Sequence, residues 1–227
     1  MKKSDSSREE NGGERDGRCT SRTAGQQGVR KTVGWLSRLW NELREEQRTA
    51  WRRIARNMHS RVRKGRSYPL DGQKVFNKLN WVLALLGRKE EKEPPPLPKF
   101  GPNPVGALEI TGAGRGMALK LRVSESPANE IMVYGSPPQN AGRGYCGDYR
   151  FLGLLPAPVE GESDITRLYV KKYGVPRENS KIFIRTWPEE NGWEDRGQMH
   201  IASAPVPGRG DGAGGQRDGR PGKARRQ

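Results

Sequence analysis

Residues 117–124, Met117-Ala118-Leu119-Lys120-Leu121-Arg122-Val123-Ser124, alternate large apolar side chains with small or polar ones without interruption. A period of two places Met117, Leu119, Leu121 and Val123 on one face of an extended chain and the polar set on the other. A strand buried on one side only belongs to an antiparallel sheet, because parallel sheets covered on both faces read as continuous apolar runs. Just before it, Gly112-Ala113-Gly114-Arg115-Gly116 reads as a turn and Leu108-Glu109-Ile110-Thr111 as a partner strand. Further strands are predicted at 130–134, 149–155, 165–173 and 181–187, each bounded by Gly, Pro, Asn or Ser. With no helical stretch read between 105 and 195, this part is expected to be an antiparallel β-sandwich of the fibronectin/immunoglobulin kind, closed at one end by Trp187 and Trp193.

Working outward, residues 90–104 carry Pro94-Pro95-Pro96-Leu97-Pro98 and then Gly101-Pro102-Asn103-Pro104. Consecutive prolines cannot continue a helix and favour extended polyproline II, so the segment reads as a linker and a domain boundary. Upstream of it the period changes. Trp35, Leu36, Leu39, Trp40 and Leu43, then Ala50, Trp51, Ile54, Ala55 and Met58, recur at three- and four-residue spacing. This predicts two amphipathic helices with a break between 41 and 44. After a turn at 67–72, with Asp71 as N-cap, a third helix is expected over 73–86, with Gly87 closing it. Residues 1–30 and 196–227 are poor in apolar groups and rich in Gly, Arg and polar residues, so both are expected to be disordered. The class expected is therefore α+β: a basic helical segment over 31–89, the linker over 90–104 and the β portion over 105–195.

The composition supports long polar stretches. Hydrophobic residues make up 32% of the chain, against roughly 45–50% in globular domains. The formal net charge is +16, but it is uneven. Residues 31–66 carry 11 basic and 3 acidic side chains, whereas 101–195 carry 11 and 12. Basic arms on a neutral module point to a polyanionic partner. No apolar run approaches the ~20 residues of a membrane helix. The first residues show no apolar signal segment, so a cytoplasmic protein without a membrane role is expected.

Few residues offer chemistry. Gly112–Gly116 lacks the Lys-Ser/Thr of a P-loop and has no helix after it. Cys146 has no His near it in sequence to act as base. Glu160, Glu162 and Asp164 alternate but lack the remainder of a calcium loop. Arg209-Gly210-Asp211 matches the cell-adhesion tripeptide, in a stretch so rich in those residues that chance supplies it. No cofactor, no metal and no small-molecule substrate are expected, and the chain reads as non-enzymatic. The strongest candidate surface is Arg48, Arg52, Arg53 and Arg56, which share a face of the second helix opposite Ile54 and Met58. Arg61, Arg63, Lys64 and Arg66 extend it as an arm. Such an array would neutralise phosphates of DNA or RNA with little sequence specificity. The competing expectation is a structural module, of the kind found in a larger particle, in which the Trp-rich helices dock on a protein partner and the Arg face is only solvated.

Two resemblances accompany these readings. The string from Trp40 to Trp51, extended over residues 40–58, resembles the second half of a high-mobility-group box. That resemblance implies minor-groove DNA binding with bending. In order of elements the chain also resembles uncharacterised prokaryotic and phage-like proteins. These pair a W-x2-L-x3-Q-x3-W helix, here Trp40, Leu43, Gln47 and Trp51, and an L-x-G-x3-F-x3-N helix, here Leu70, Gly72, Phe76 and Asn80, with a β-sandwich. This second resemblance implies the architecture and carries no established activity.

Overall fold

The computed structural model describes residues 24–59 and 68–205. They form four helices and two antiparallel sheets, an α+β arrangement. Helices α1 (Ala24–Glu42) and α2 (Glu45–Ala55) are separated at the predicted break. Arg44 there is extended, and its backbone N–H donates to Gln47 Oε1 at 3.0 Å. This is half of a capping box, because Arg has no acceptor with which to return the bond. Helix α3 (Gly72–Leu85) begins at Asp71, whose Oδ1 accepts from Lys74 N at 2.7 Å. It ends in a Schellman motif: Gly87 has φ +68°, Gly87 N reaches Ala84 O, and Arg88 N reaches Leu83 O.

The three helices bury one cluster. Phe76 lies between Trp40 and Trp51, with ring centroids 5.5 and 5.4 Å away. Leu43, Val75, Leu79 and Leu83 fill the rest, and Trp193 from the β portion completes it. The proline-rich stretch runs along this cluster. Buried Asn80 brackets Glu91, accepting from its N–H at 2.7 Å and donating to its carbonyl at 3.1 Å. Trp51 Nε1 donates to Lys92 O at 2.9 Å, and Trp193 Nε1 donates to Pro95 O at 3.3 Å. Prolines leave carbonyls without ladder partners, and here indole N–H groups use one of them together with the carbonyl of Lys92.

The first sheet has the order β1 (Val105–Thr111), β2 (Ala118–Val123), β5 (Glu162–Asp164). In the second, β4 (Arg150–Leu154) flanks β3 (Glu130–Gly135), which pairs with β6 (Lys181–Glu190). Along the other edge of β6 lie β7 (Trp193–Glu194) and β8 (Gln198–Ser203). Both sheets contribute to one core containing Leu119, Leu121, Ile131, Val133, Ile182 and Ile184. The alternation of residues 117–124 is realised as read, with Leu119, Leu121 and Val123 buried in β2.

Three expectations are corrected. Residues 165–173 do not form a strand: Thr166–Tyr173 is helix α4. Its β-branched and aromatic composition suggests a strand, but Ile165, Leu168, Tyr169 and Tyr173 follow helical spacing and join the core that both sheets contribute to. Asp164 Oδ1 accepts from Thr166 N at 2.8 Å at the start, and Gly174, with φ +75°, ends it. The N-terminal boundary also moves, since 24–30 belong to α1; Val29, Val33, Leu36 and Trp40 give its stripe. At the other end residues 198–203 pair with β6 instead of opening a disordered tail. The remaining terminal residues expected to be disordered lie outside the described residues.

Candidate functional site

The four arginines assigned to one face of α2 have different surroundings. Arg48 is half-buried and turned back on α1: its Nε donates to Trp40 O at 3.2 Å and its Nη2 to Asn41 O at 2.6 Å. It thereby satisfies carbonyls that a helix end leaves unpaired, a structural task. Arg52 pairs with Glu45 at 2.5 Å, and the hydrogen bond and charge of Arg52 hold the Glu45 carboxyl below its ordinary range. Arg53 and Arg56 are exposed and make no ion pair among the described residues. Arg61, Arg63, Lys64 and Arg66 lie outside the described residues. Either side of that gap the chain is joined, with Leu70 N donating to Met58 O at 3.0 Å. Arg56, Pro69 and Leu70, from the described chain on the two sides of the gap, line a cleft of about 600 Å³ together with Trp40, Arg52 and the first residues of α3.

A second cleft, of about 520 Å³, lies between helices α1 and α3 and the face of the second sheet that looks away from the shared core. Val33 and Leu36 of α1 and Asn77, Lys78 and Trp81 of α3 form one wall. Tyr134 of β3, Arg185 and Trp187 of β6, Glu194 of β7 and Tyr149 on the loop before β4 form the other. The groups hold one another. The Arg185 guanidinium lies over the Tyr149 ring, 4.2 Å from its centroid. Lys78 Nζ is 3.6 Å from Glu194 Oε2. Glu194 also hydrogen-bonds the Tyr134 hydroxyl, whose pKa is pushed far above its ordinary value, first by burial. Burial likewise raises the Tyr149 hydroxyl, against the pull of Arg185. Asn77 Oδ1 is buried and has no hydrogen-bond partner among the described residues.

Sequence reasoning missed this second site because its residues come from five elements and a loop spread over residues 33–194. One signal existed. In β6 the positions between the core residues Ile182, Ile184 and Thr186 are Phe183, Arg185 and Trp187. Two aromatics on the supposed solvent face mark a strand covered on both sides.

Other candidates resolve simply. Gly112–Gly116 connects β1 to β2 and contains one 3₁₀ turn. Cys146 is buried, and its thiol lies 3.6 Å from Asp148 O, which accepts from it. Glu162 pairs with Lys120 at 2.8 Å across β5 and β2. Trp40 and Trp51, expected on a docking surface, are buried in the core of the helical cluster, since their rings are what the short helices have to pack around Phe76. Among the described residues no helix is long and apolar enough to cross a membrane. No family model matches the chain, and neither a curated protein nor a solved structure does.

Proposed function

We propose that this chain is a non-enzymatic binding protein that holds nucleic-acid phosphates through the end of α2 and the basic stretch that follows it. The observation that carries the reading is the exposure of Arg53 and Arg56, without carboxylate partners among the described residues. They lead directly into Arg61, Arg63, Lys64 and Arg66, within a segment of 11 basic and 3 acidic residues. An array of this kind binds by releasing counterions, so affinity falls steeply with salt and depends little on sequence. Arg48 is removed from the contact set because its guanidinium serves α1. The resemblance of residues 40–58 to a high-mobility-group box is in line with a DNA ligand. The β portion is read as a sandwich of the fibronectin/immunoglobulin kind, supported by the one core that its two antiparallel sheets share.

The test is a salt titration of the full chain against random duplex DNA and single-stranded RNA. Each lost phosphate contact reduces the magnitude of the log–log slope by about 0.9 on duplex or about 0.7 on single strands. Arg53→Gln with Arg56→Gln should therefore flatten the duplex slope by nearly two. Arg48→Gln should leave the slope in place and lower stability instead. Absence of binding to either nucleic acid at roughly 0.15 M salt would end the proposal.

A further inference from the structure

From the cleft between α1, α3 and the sheet we infer a site for a single unpaired nucleobase, so that the protein engages single-stranded nucleic acid by stacking as well as by charge. This rests on the nucleic-acid reading above and adds a second, chemically different contact to it. Three observations point the same way. The volume, about 520 Å³, falls within the range of small-ligand pockets. Its walls carry four aromatic rings, Trp81, Tyr134, Tyr149 and Trp187, and planar bases stack on such rings irrespective of sequence. Arg185, already stacked on Tyr149, brings positive charge to the same walls, as a nucleotide phosphate requires, while Lys78 there is paired with Glu194.

The stacking surface is built before any ligand arrives. The Trp187 ring lies directly on the backbone of Gly197, where a Cβ would come within 2.4 Å of the indole. The Tyr134 hydroxyl is held by Glu194, and the Tyr149 hydroxyl lies 3.5 Å from Met199 Sδ. Rings fixed in this way lose little freedom on binding, which favours their use as anchors. A duplex cannot use the site, because its bases are paired and stacked inside the helix.

The experiment measures binding of the full chain to four fluorescent probes across a salt series: octathymidylate, octauridylate, an abasic octamer with the same phosphates, and a random duplex. The expected result is tighter binding of the two base-bearing octamers than of the abasic one. Loss of one stacked base corresponds to about 1–3 kcal/mol, roughly 5- to 150-fold. Trp187→Ala and Tyr149→Ala should each weaken the base-bearing octamers by about tenfold with the salt slope unchanged, and should leave the abasic octamer and the duplex as they were. Tyr149 lies on a loop, so its variant remains informative if Trp187→Ala does not fold. Equal affinity for abasic and base-bearing octamers, or no effect of Tyr149→Ala, overturns the cleft while leaving the phosphate reading standing. If Arg53→Gln with Arg56→Gln leaves the slope intact and base-dependent binding persists, the phosphate reading fails and the cleft survives. No binding to any probe overturns both.

Discussion

At the scale of single residues, His200 is buried on the inner face of β8 with Nε2 2.9 Å from Thr186 Oγ1. Thr186 Oγ1 also accepts from Asn103 Nδ2 at 3.1 Å, which leaves its hydroxyl proton for the imidazole. This arrangement suits a neutral ring, and burial lowers the His200 pKa below its ordinary 6.5, against a Gly106 backbone hydrogen bond that raises it. The unfolded chain then binds a proton near pH 6.5 that the folded chain refuses. Stability present above pH 6.5 should fall as the pH drops below that value toward the folded pKa. Urea midpoints measured from pH 7.5 to 5.5 should decline for the natural chain and stay nearly level for His200→Gln. A flat profile in the natural chain would refute this. His200 was legible as a residue but not as a buried one, because the segment around it is short, polar and next to a Gly/Arg-rich tail.

Among elements, α2 and α3 meet at closer range than their side chains suggest. A Cβ on Gly72 would stand 2.8 Å from the backbone nitrogen of Arg52 and 3.1 Å from its Cα. Backbone cannot yield as a flexible side chain does, so Gly72→Ala should force the helices apart around Phe76 and destabilise by about 1–3 kcal/mol, read as a lower urea midpoint. An unchanged midpoint would show that the two helices have slack. The sequence marked Gly72 as part of a turn and of the L-x-G-x3-F-x3-N pattern, not as a point of helix contact; its neighbour across the helix pair lies 20 positions away. The same limit explains α4. Its composition favours a strand, and only Asp164 before it, Gly174 after it and the spacing of Ile165, Leu168 and Tyr169 identify a helix. Alternation was unambiguous at residues 117–124, where one face is buried and the other solvated. It was ambiguous in β6, where both faces are covered.

For the molecule as a whole, the helical cluster and the β portion are joined by more than the proline-rich connection. Arg88, placed just past α3 by the turn at Gly87, donates to Glu189 Oε1 and Oε2 at 3.3 and 3.1 Å and also bonds Glu130. The Glu189 side chain is wholly buried, burial pushes its pKa up, and Gly192 N donates to it at 2.6 Å. Removing the cation leaves that carboxylate in the interior without its partner. A fully buried pair broken this way costs about 3–5 kcal/mol; with Arg88 36% exposed the expectation for Arg88→Ala is nearer 2–3 kcal/mol. Protonating Glu189 removes the unpaired charge, so the deficit should shrink toward acidic pH. Denaturant curves at pH 7 and pH 5 check both the size and the direction. A variant as stable as the natural chain at pH 7 would show that Arg88 contributes nothing net.

The amino-acid order alone determined what depends on neighbours in sequence. The helix break near Asn41, the Asp71 cap, the Gly87 stop, the one-sided strand at residues 117–124 and the charge contrast between 31–66 and 101–195 all follow from local period, turn chemistry and composition. Tertiary structure alone decided which of several similar residues does which task. It turned Arg48 onto α1 and left Arg53 and Arg56 exposed. It buried Trp40 and Trp51, and it drew Trp81, Tyr134, Tyr149 and Trp187 together around one cleft. The physical reason is range. Periodicity and capping are settled within a few residues, whereas burial, pairing of charges and the shape of a cavity depend on partners that only folding brings within a few ångströms.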